Sequence, residues 1–327
     1  MSLNSRGVVL LCGLAVLIGA GSGRAADAGQ APQAGYAEHG ERTCLGCHDM
    51  PPVNLMLQTP HAVKADSRTP FGQHQCESCH GASPEHVAVS SNPAAVVFKG
   101  PLKSPVALRN RVCLTCHDSG FRTHWTGSQH ESRGVGCSDC HNIHAADQKV
   151  LSKATQAEVC YLCHKEQRAQ ARRISTHPLT ATSLASTAKM SCSDCHNPHG
   201  SAGPTMLVKT SVNETCYTCH AEKRGPFLWE HAPVSDNCTN CHSPHGSSNA
   251  PLLKSRAPFL CQECHSGDHG NQVNSGANLA GGSVTTINGT QQPGAAAPRA
   301  QMGARACLNC HVLVHGSNHP AGAKFQR

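Results

Sequence analysis

The chain has one pronounced apolar run, Gly7 to Ala20, which follows Arg6 and leads through small residues to Ala28. That order reads as a secretory leader over residues 1–25. The A-x-A sequence Ala26-Asp27-Ala28 allows cleavage as late as residue 28. The run is short for a membrane helix, which needs roughly 20 apolar residues. Cys12 lies inside it with hydrophobic residues after it, so it leaves with the leader and is no lipid-attachment box. Beyond the leader no stretch is apolar enough to span a bilayer as a helix. Helix signals there are short and local. Thr155-x-x-Glu158 and Ser211-x-x-Glu214 read as capping boxes, and each predicts a helix running into a cysteine pair. On such a helix Cys160, Cys163 and His164 sit at i, i+3 and i+4 and share one face.

Composition sharpens the picture. Only 3% of the 327 residues are aromatic, while Gly, Pro, His and Cys are abundant. Side chains alone cannot build a core of the size expected for this length. Either the chain is disordered or a non-protein group supplies the apolar mass.

The cysteines decide between these. Apart from Cys12, all fall into C-x-x-C pairs followed at once by His. The ten motifs are Cys44-Cys47-His48, Cys76-Cys79-His80, Cys113-Cys116-His117, Cys137-Cys140-His141, Cys160-Cys163-His164, Cys192-Cys195-His196, Cys216-Cys219-His220, Cys238-Cys241-His242, Cys261-Cys264-His265 and Cys307-Cys310-His311. C-x-x-C-H is the attachment signature of c-type haem. Two thiols add to the vinyl groups of one porphyrin, and the adjacent His is held under the iron. Disulfides in an exported protein or zinc ribbons also use paired cysteines. Neither explains the His. With 24 His in 327 residues, one chance match is about 7%, so ten in ten is on the order of 10⁻¹¹. The fold expected is therefore a multihaem cytochrome c: mostly irregular coil with short α-helices, wrapped around a chain of ten covalent haems and elongated.

An electron-transfer haem usually takes two strong axial ligands, and internal repeats point to the second set. CSDCHNIH from Cys137, CSDCHNPHG from Cys192 and CTNCHSPHG from Cys238 are copies of one unit, with a diverged member from Cys76. Odd-numbered motifs carry a further His 11 to 13 residues on: His61, His130, His177 and His231. Even-numbered motifs carry one 3 to 6 residues on: His86, His144, His199 and His245. The last pair of motifs departs from this, with His269 and His315 each 4 residues on. These ten are the distal candidates, and the spacing leaves open which serves which iron. His39, His74, His124 and His319 are left over, His319 competing with His315 for the last haem. Met50, Met56, Met190, Met206 and Met302 recur at no fixed spacing and read as packing residues, so bis-His iron is expected throughout.

Domain organisation follows. A flexible N-terminus is expected over 26–41 and a nine-haem region of two-haem repeats over 42–268. A Gly/Ala-rich linker follows over 269–306, then a tenth-haem segment over 307–327. The formal charge of +7 suggests nucleic acid or an anionic membrane at first sight. Loss of Arg6 and Arg24 with the leader, and about −1 for each ferric haem with its propionates, brings the holoprotein to about −5. Basic residues are also scattered, so no nucleic-acid partner is expected.

The sequence resembles the MtrA/DmsE/PioA family of periplasmic decahaem cytochromes. The resemblance rests on ten C-x-x-C-H motifs in a chain of this length, on CSDCHNPHG at Cys192, on CYTCHAEKRGPFLWEHAPV from Cys216, and on CLNCHVLVHGSNHPAGA at the C-terminus. It covers nearly the whole mature chain. It implies a bis-His haem wire inserted in an outer-membrane β-barrel porin. Such a wire links periplasmic or inner-membrane cytochromes with extracellular electron acceptors or donors such as iron, in some members through an extracellular multihaem cytochrome. The chain lacks the long N-terminal extension of the phototrophic iron oxidisers. A freely diffusing periplasmic shuttle and a multihaem reductase are the competing functions. A reductase needs an open iron, often marked by Lys in place of a motif His, and no motif has that change.

Overall fold

In the computed structural model, residues 35–179, 189–265, 283–285, 291–293, 306–320 and 322–326 are described. Regular structure among them is scarce. The longest α-helix is Val106–Leu114, of nine residues. Other short helices include Glu41–His48, Lys153–Cys160, Lys165–Gln170 and Val212–Tyr217. Single 3₁₀ turns and loops connect them. One small antiparallel ribbon pairs Ser283–Thr285 with Gln291–Pro293, within the segment read as a Gly/Ala-rich linker. The rest of that segment, with His269 and Met302, and the leader lie outside the described residues. No described helix is long and apolar enough to cross a membrane. The expected coil with short helices is what the chain adopts.

Both expected helices are present, with different starts. Ser211 caps Val212–Tyr217, accepting the Glu214 N–H at 3.1 Å. The Glu214 carboxylate does not close the box; it pairs with Arg224 at 3.0 Å. The other helix begins at Lys153, two residues before Thr155, so Thr155 is not its cap. The Thr155 hydroxyl donates instead to the Lys149 carbonyl at 2.7 Å, which ties the helix to the 3₁₀ turn Lys149–Leu151 in front of it.

Side chains alone make no common core. The buried apolar residues are Met56, Phe71, Val96, Trp125, Ala157 and Leu207, spread along the sequence. Phe121, Leu162, Ile174, Leu228 and Phe259 are exposed on the polypeptide. Polar side chains, two of them buried, hold consecutive motifs together. Asn110, three residues before Cys113, accepts the Cys137 N–H at 2.9 Å. Asn213, three residues before Cys216, accepts the Cys238 N–H at 2.8 Å and donates to the Val234 and Ser235 carbonyls. Gln156, four before Cys160, accepts the Ser193 N–H at 2.9 Å. Each of these three first-motif helices is thereby bolted to the second motif of its pair. Residues 35–41, at the end of the expected flexible N-terminus, also make contacts. Tyr36 stacks on His74 with ring centres 3.7 Å apart, the Ala37 N–H donates to Glu77, and Glu41 is buried.

Candidate haem sites

Each motif folds as one helical turn. The His N–H donates to the carbonyl of the first Cys at 2.9–3.0 Å in motifs two to ten, and the first motif lies wholly within the helix Glu41–His48. Both sulfurs and the imidazole are thus carried on one compact unit. None of the C-x-x-C cysteines is disulfide-bonded. Among the described residues, no three His, Cys, Asp or Glu side chains converge as a metal-ion cage.

The motif histidines are not left alone. His48 faces His86 with ring centres 6.0 Å apart, and His80 faces His144 at 6.2 Å. His117 faces His61 at 6.0 Å, His141 faces His199 at 6.2 Å, and His164 faces His130 at 6.1 Å. His196 faces His245 at 6.0 Å, His220 faces His177 at 6.5 Å, His242 faces His315 at 6.2 Å, and His265 faces His231 at 6.1 Å. Two imidazoles on opposite sides of one metal ion, each at the roughly 2.0–2.1 Å of a metal–nitrogen bond, have ring centres about 6 Å apart. The spacing is too wide for ring stacking and suits one iron between each pair. The partners are the ten spaced histidines of the sequence, apart from His269. Of the leftover histidines, His39, His74 and His124 face no motif His.

Hydrogen bonds fix the rings in the ligating tautomer. Nδ1 of His80 lies 2.9 Å from the Val96 carbonyl, that of His196 3.1 Å from Thr205, and that of His242 3.0 Å from Pro251. A carbonyl can only accept, so Nδ1 carries the proton and Nε2 is left with its lone pair, as a metal-binding imidazole requires. Partner histidines do the same: His86 to Asn92 at 2.6 Å, His130 to Pro198 at 2.7 Å, His177 to Pro244 at 2.8 Å and His231 to Val314 at 2.9 Å. Burial also holds His80, His144, His196, His199, His242, His245 and His315 below the ordinary imidazole pKa, which favours the neutral form.

The last three of those bonds explain the repeated P-H-G signature. Pro198, Pro244 and Val314 each precede one partner His and accept the Nδ1–H of another. The following glycines, Gly200, Gly246 and Gly316, have φ of 101°, 139° and 131°. A Cβ there would collide with the His124 carbonyl, the Gln170 carbonyl and the Phe227 ring, respectively. Acceptor, imidazole and close backbone approach occupy three consecutive residues.

The cysteines set the order of the sites. First cysteines meet within each pair of motifs. Cys44 neighbours Cys76, Cys113 neighbours Cys137, Cys160 neighbours Cys192, Cys216 neighbours Cys238 and Cys261 neighbours Cys307, each close enough for its sulfur to act on the other. Second cysteines meet between pairs. After burial, the charge that raises Cys79 is that of Cys116. Cys140 feels Asp139 and then Cys163, Cys195 feels Asp194 and then Cys219, and Cys241 feels Cys264. Every motif thus adjoins the next along the chain, through two junction types in strict alternation.

The same motifs are matched in known proteins. A family model described as a doubled C-x-x-C-H motif matches residues 130–169, 185–225 and 231–270, and one described as cytochrome c554 and c-prime matches residues 97–142. The chain is 45% identical over 294 residues to the multihaem cytochrome MtrA of Shewanella baltica, covering 89% of this chain and 83% of that protein. With these matches and its C-x-x-C-H motifs, the protein carries covalent c-type haems and transfers electrons, and it belongs to the MtrA family of multihaem cytochromes.

Proposed function

We propose that the protein carries ten bis-His haems and conducts electrons across an outer membrane, through the lumen of a β-barrel porin. The observation that carries this reading is the series of facing histidines at nine consecutive motifs, His48 to His265, together with the adjoining cysteines from Cys44 to Cys307. Saturated iron cannot bind a substrate, and neighbouring sites in chain order suit passage of an electron rather than chemistry.

Ligation runs both ways between two-haem modules. The long-spaced His of each module serves the first haem of the next: His61 to His117, His130 to His164, His177 to His220 and His231 to His265. The short-spaced His serves the second haem of the preceding module: His144 to His80, His199 to His141, His245 to His196 and His315 to His242. The first module has no predecessor, and its His86 turns back to His48. His269 is the spaced histidine this scheme has not yet used and His311 the motif histidine it has not yet supplied, and the proposal assigns the one to the haem of the other. Both turned-back ligands have altered spacing, 6 rather than 3 residues for His86 and 4 rather than 11 to 13 for His269.

The membrane setting rests on family membership and a physical argument. Backbone this poor in regular structure cannot face lipid, because its polar groups would be unsatisfied. A closed barrel offers lipid an apolar exterior and the cytochrome a polar lumen. Ten haems in series can cover the roughly 40–45 Å of a bilayer with its headgroups, and one cannot. Periplasmic location, and electron partners in the periplasm and outside the cell, follow from that placement. Reconstitution in liposomes loaded with a redox dye tests it. External reductant should bleach the dye when cytochrome and cognate porin are both present and with neither alone. Full bleaching by the cytochrome without a porin would favour a diffusible shuttle.

A further inference from the structure

We propose that Arg122 and Trp125 form a carboxylate clamp for a propionate of the haem 3–haem 4 pair, the haems attached at Cys113 and Cys137. The inference rests on haem attachment at these motifs. Trp125 is 5% exposed, yet its indole N–H has no hydrogen-bond partner among the described residues. A buried donor left unpaired is costly, and native structures supply a partner. The Nε of Arg122 is likewise buried without a partner, and the Ser201 hydroxyl is a third such group. Arg122 forms no ion pair among the described residues.

These groups belong to one place. The Trp125 ring lies 6.2 Å from His199, the imidazole facing His141. Arg122 lies five residues after His117, and its carbonyl accepts the Trp125 backbone N–H at 2.8 Å, so the loop that follows the third motif carries both donors. Asn197 donates to the Phe121 carbonyl at 2.9 Å, and His130 to that of Pro198, which docks the loop 120–130 onto 197–201. An indole N–H and a guanidinium N–H at one spot are donors without an acceptor. The acceptor missing from the polypeptide is an anion, and a haem brings two carboxylates. The site occurs once: five residues before the other long-spaced histidines stand Met56, Arg172 and Pro226. The loop leads away from the third motif and sets Trp125 beside the His199 of the fourth site, and a propionate of either haem offers the same acceptor chemistry.

The test uses the full holoprotein. Trp125 and Trp229 are its only tryptophans, so ¹⁵N-labelled indoles give two resonances, assigned with Trp125→Phe. The Trp125 N–H should exchange slowly with solvent and shift as the propionate is protonated, while the partly exposed Trp229 should do neither. In potentiometric titration Trp125→Phe, which changes no charge, should move one one-electron component to lower potential. The ratio of oxidised to reduced haem at fixed poise should rise severalfold, with tenfold corresponding to 59 mV. Arg122→Gln should move the same component further, and Arg122→Lys should restore part of it. In a His199→Met background, whose mixed ligation lifts haem 4 clear of the rest, movement of the lifted component assigns the carboxylate to haem 4. Movement of another single component assigns it to haem 3. A fast-exchanging Trp125 N–H with no component moved by Trp125→Phe would overturn the clamp and leave a water as partner. A shift of all components together would also overturn it, as general loosening. Haem content by mass separates either result from failure of haem attachment itself.

Discussion

Ending the chain after residue 305 separates two descriptions of the C-terminus. By sequence alone, 307–327 can be read as a self-contained unit, with Cys307, Cys310 and His311 for one haem and His315 or His319 as its second ligand. Its removal would then leave nine haems, all six-coordinate. By geometry, His315 faces His242 at 6.2 Å, so the cut takes one haem away and strips a ligand from another, the haem at Cys238. Intact mass should show nine haems, and electron paramagnetic resonance of the oxidised protein should place about one ninth of the iron in a high-spin signal.

The cut also removes hydrogen bonds whose size can be set against that effect. Trp229 and Ser317 exchange two backbone bonds at 2.9 Å, and His231 donates to Val314 at 2.9 Å. The Leu228 N–H donates to Asn318 at 2.6 Å, and Asn318 donates to Pro226 at 3.3 Å. At roughly 0.5–1.5 kcal/mol each, these bonds hold 226–231 by about 5 kcal/mol. Truncation thus loosens the segment bearing His231 as well. His315→Ala in the full chain is the control, because the backbone bonds survive. It should keep ten haems and put about one tenth of the iron high-spin. If both proteins were wholly low-spin, the facing of His242 and His315 would not be ligation, and the crossed scheme would fail with it.

Further expectations follow from the same geometry. Intact-protein mass spectrometry of the mature chain should give the polypeptide plus ten haem masses; a lower number from a fully competent maturation host would contradict the count. His199→Ala should create one high-spin haem, whereas His124→Ala, whose side chain faces no motif His, should create none by the same resonance measurement. Asn213→Ala leaves the Cys238 N–H without its acceptor and should lower unfolding stability by about 1–3 kcal/mol, read from the denaturant midpoint. Gly246→Ala forces a Cβ into the Gln170 carbonyl at a φ of 139°, so holoprotein yield should fall and the Cys192 haem should become partly high-spin as His245 is displaced.

The architecture was legible in the motifs because covalent attachment needs fixed residues at fixed spacing. Fold class and haem chemistry therefore came from Cys and His alone. The spaced histidines were legible as a set, since the repeats preserve their positions. Their partners were not, because the imidazoles that face each other come from different modules and no local pattern encodes which module a loop reaches. The Thr155 box misled for a different reason: its hydroxyl has a backbone acceptor at Lys149 that competes with capping. Asn110, Gln156 and Asn213 escaped notice as lone amides three or four residues before a Cys. Only their recurrence at that offset marks them, and even that gives no hint of the N–H each accepts.

The proposed crossed ligation also accounts for the terminal spacings. A module between two others gives one imidazole forward and one back, and receives one from each side. No such module can saturate its own irons, so it resembles a repeat that is stable only when stacked. The ends need caps, and a cap here is a histidine redirected to its own module. His86 does this in the geometry, through a longer connection than its internal counterparts have. The same logic restricts how such a chain can change length. Inserting a copy of residues 113–144 adds two haems, one forward ligand and one backward ligand, and the new balance is complete. Inserting a single C-x-x-C-H segment with its following His adds one of each but shifts every later ligand into the wrong role, because forward and backward spacings alternate. A wire built this way lengthens in steps of two haems, and the even number of motifs in this chain obeys that rule.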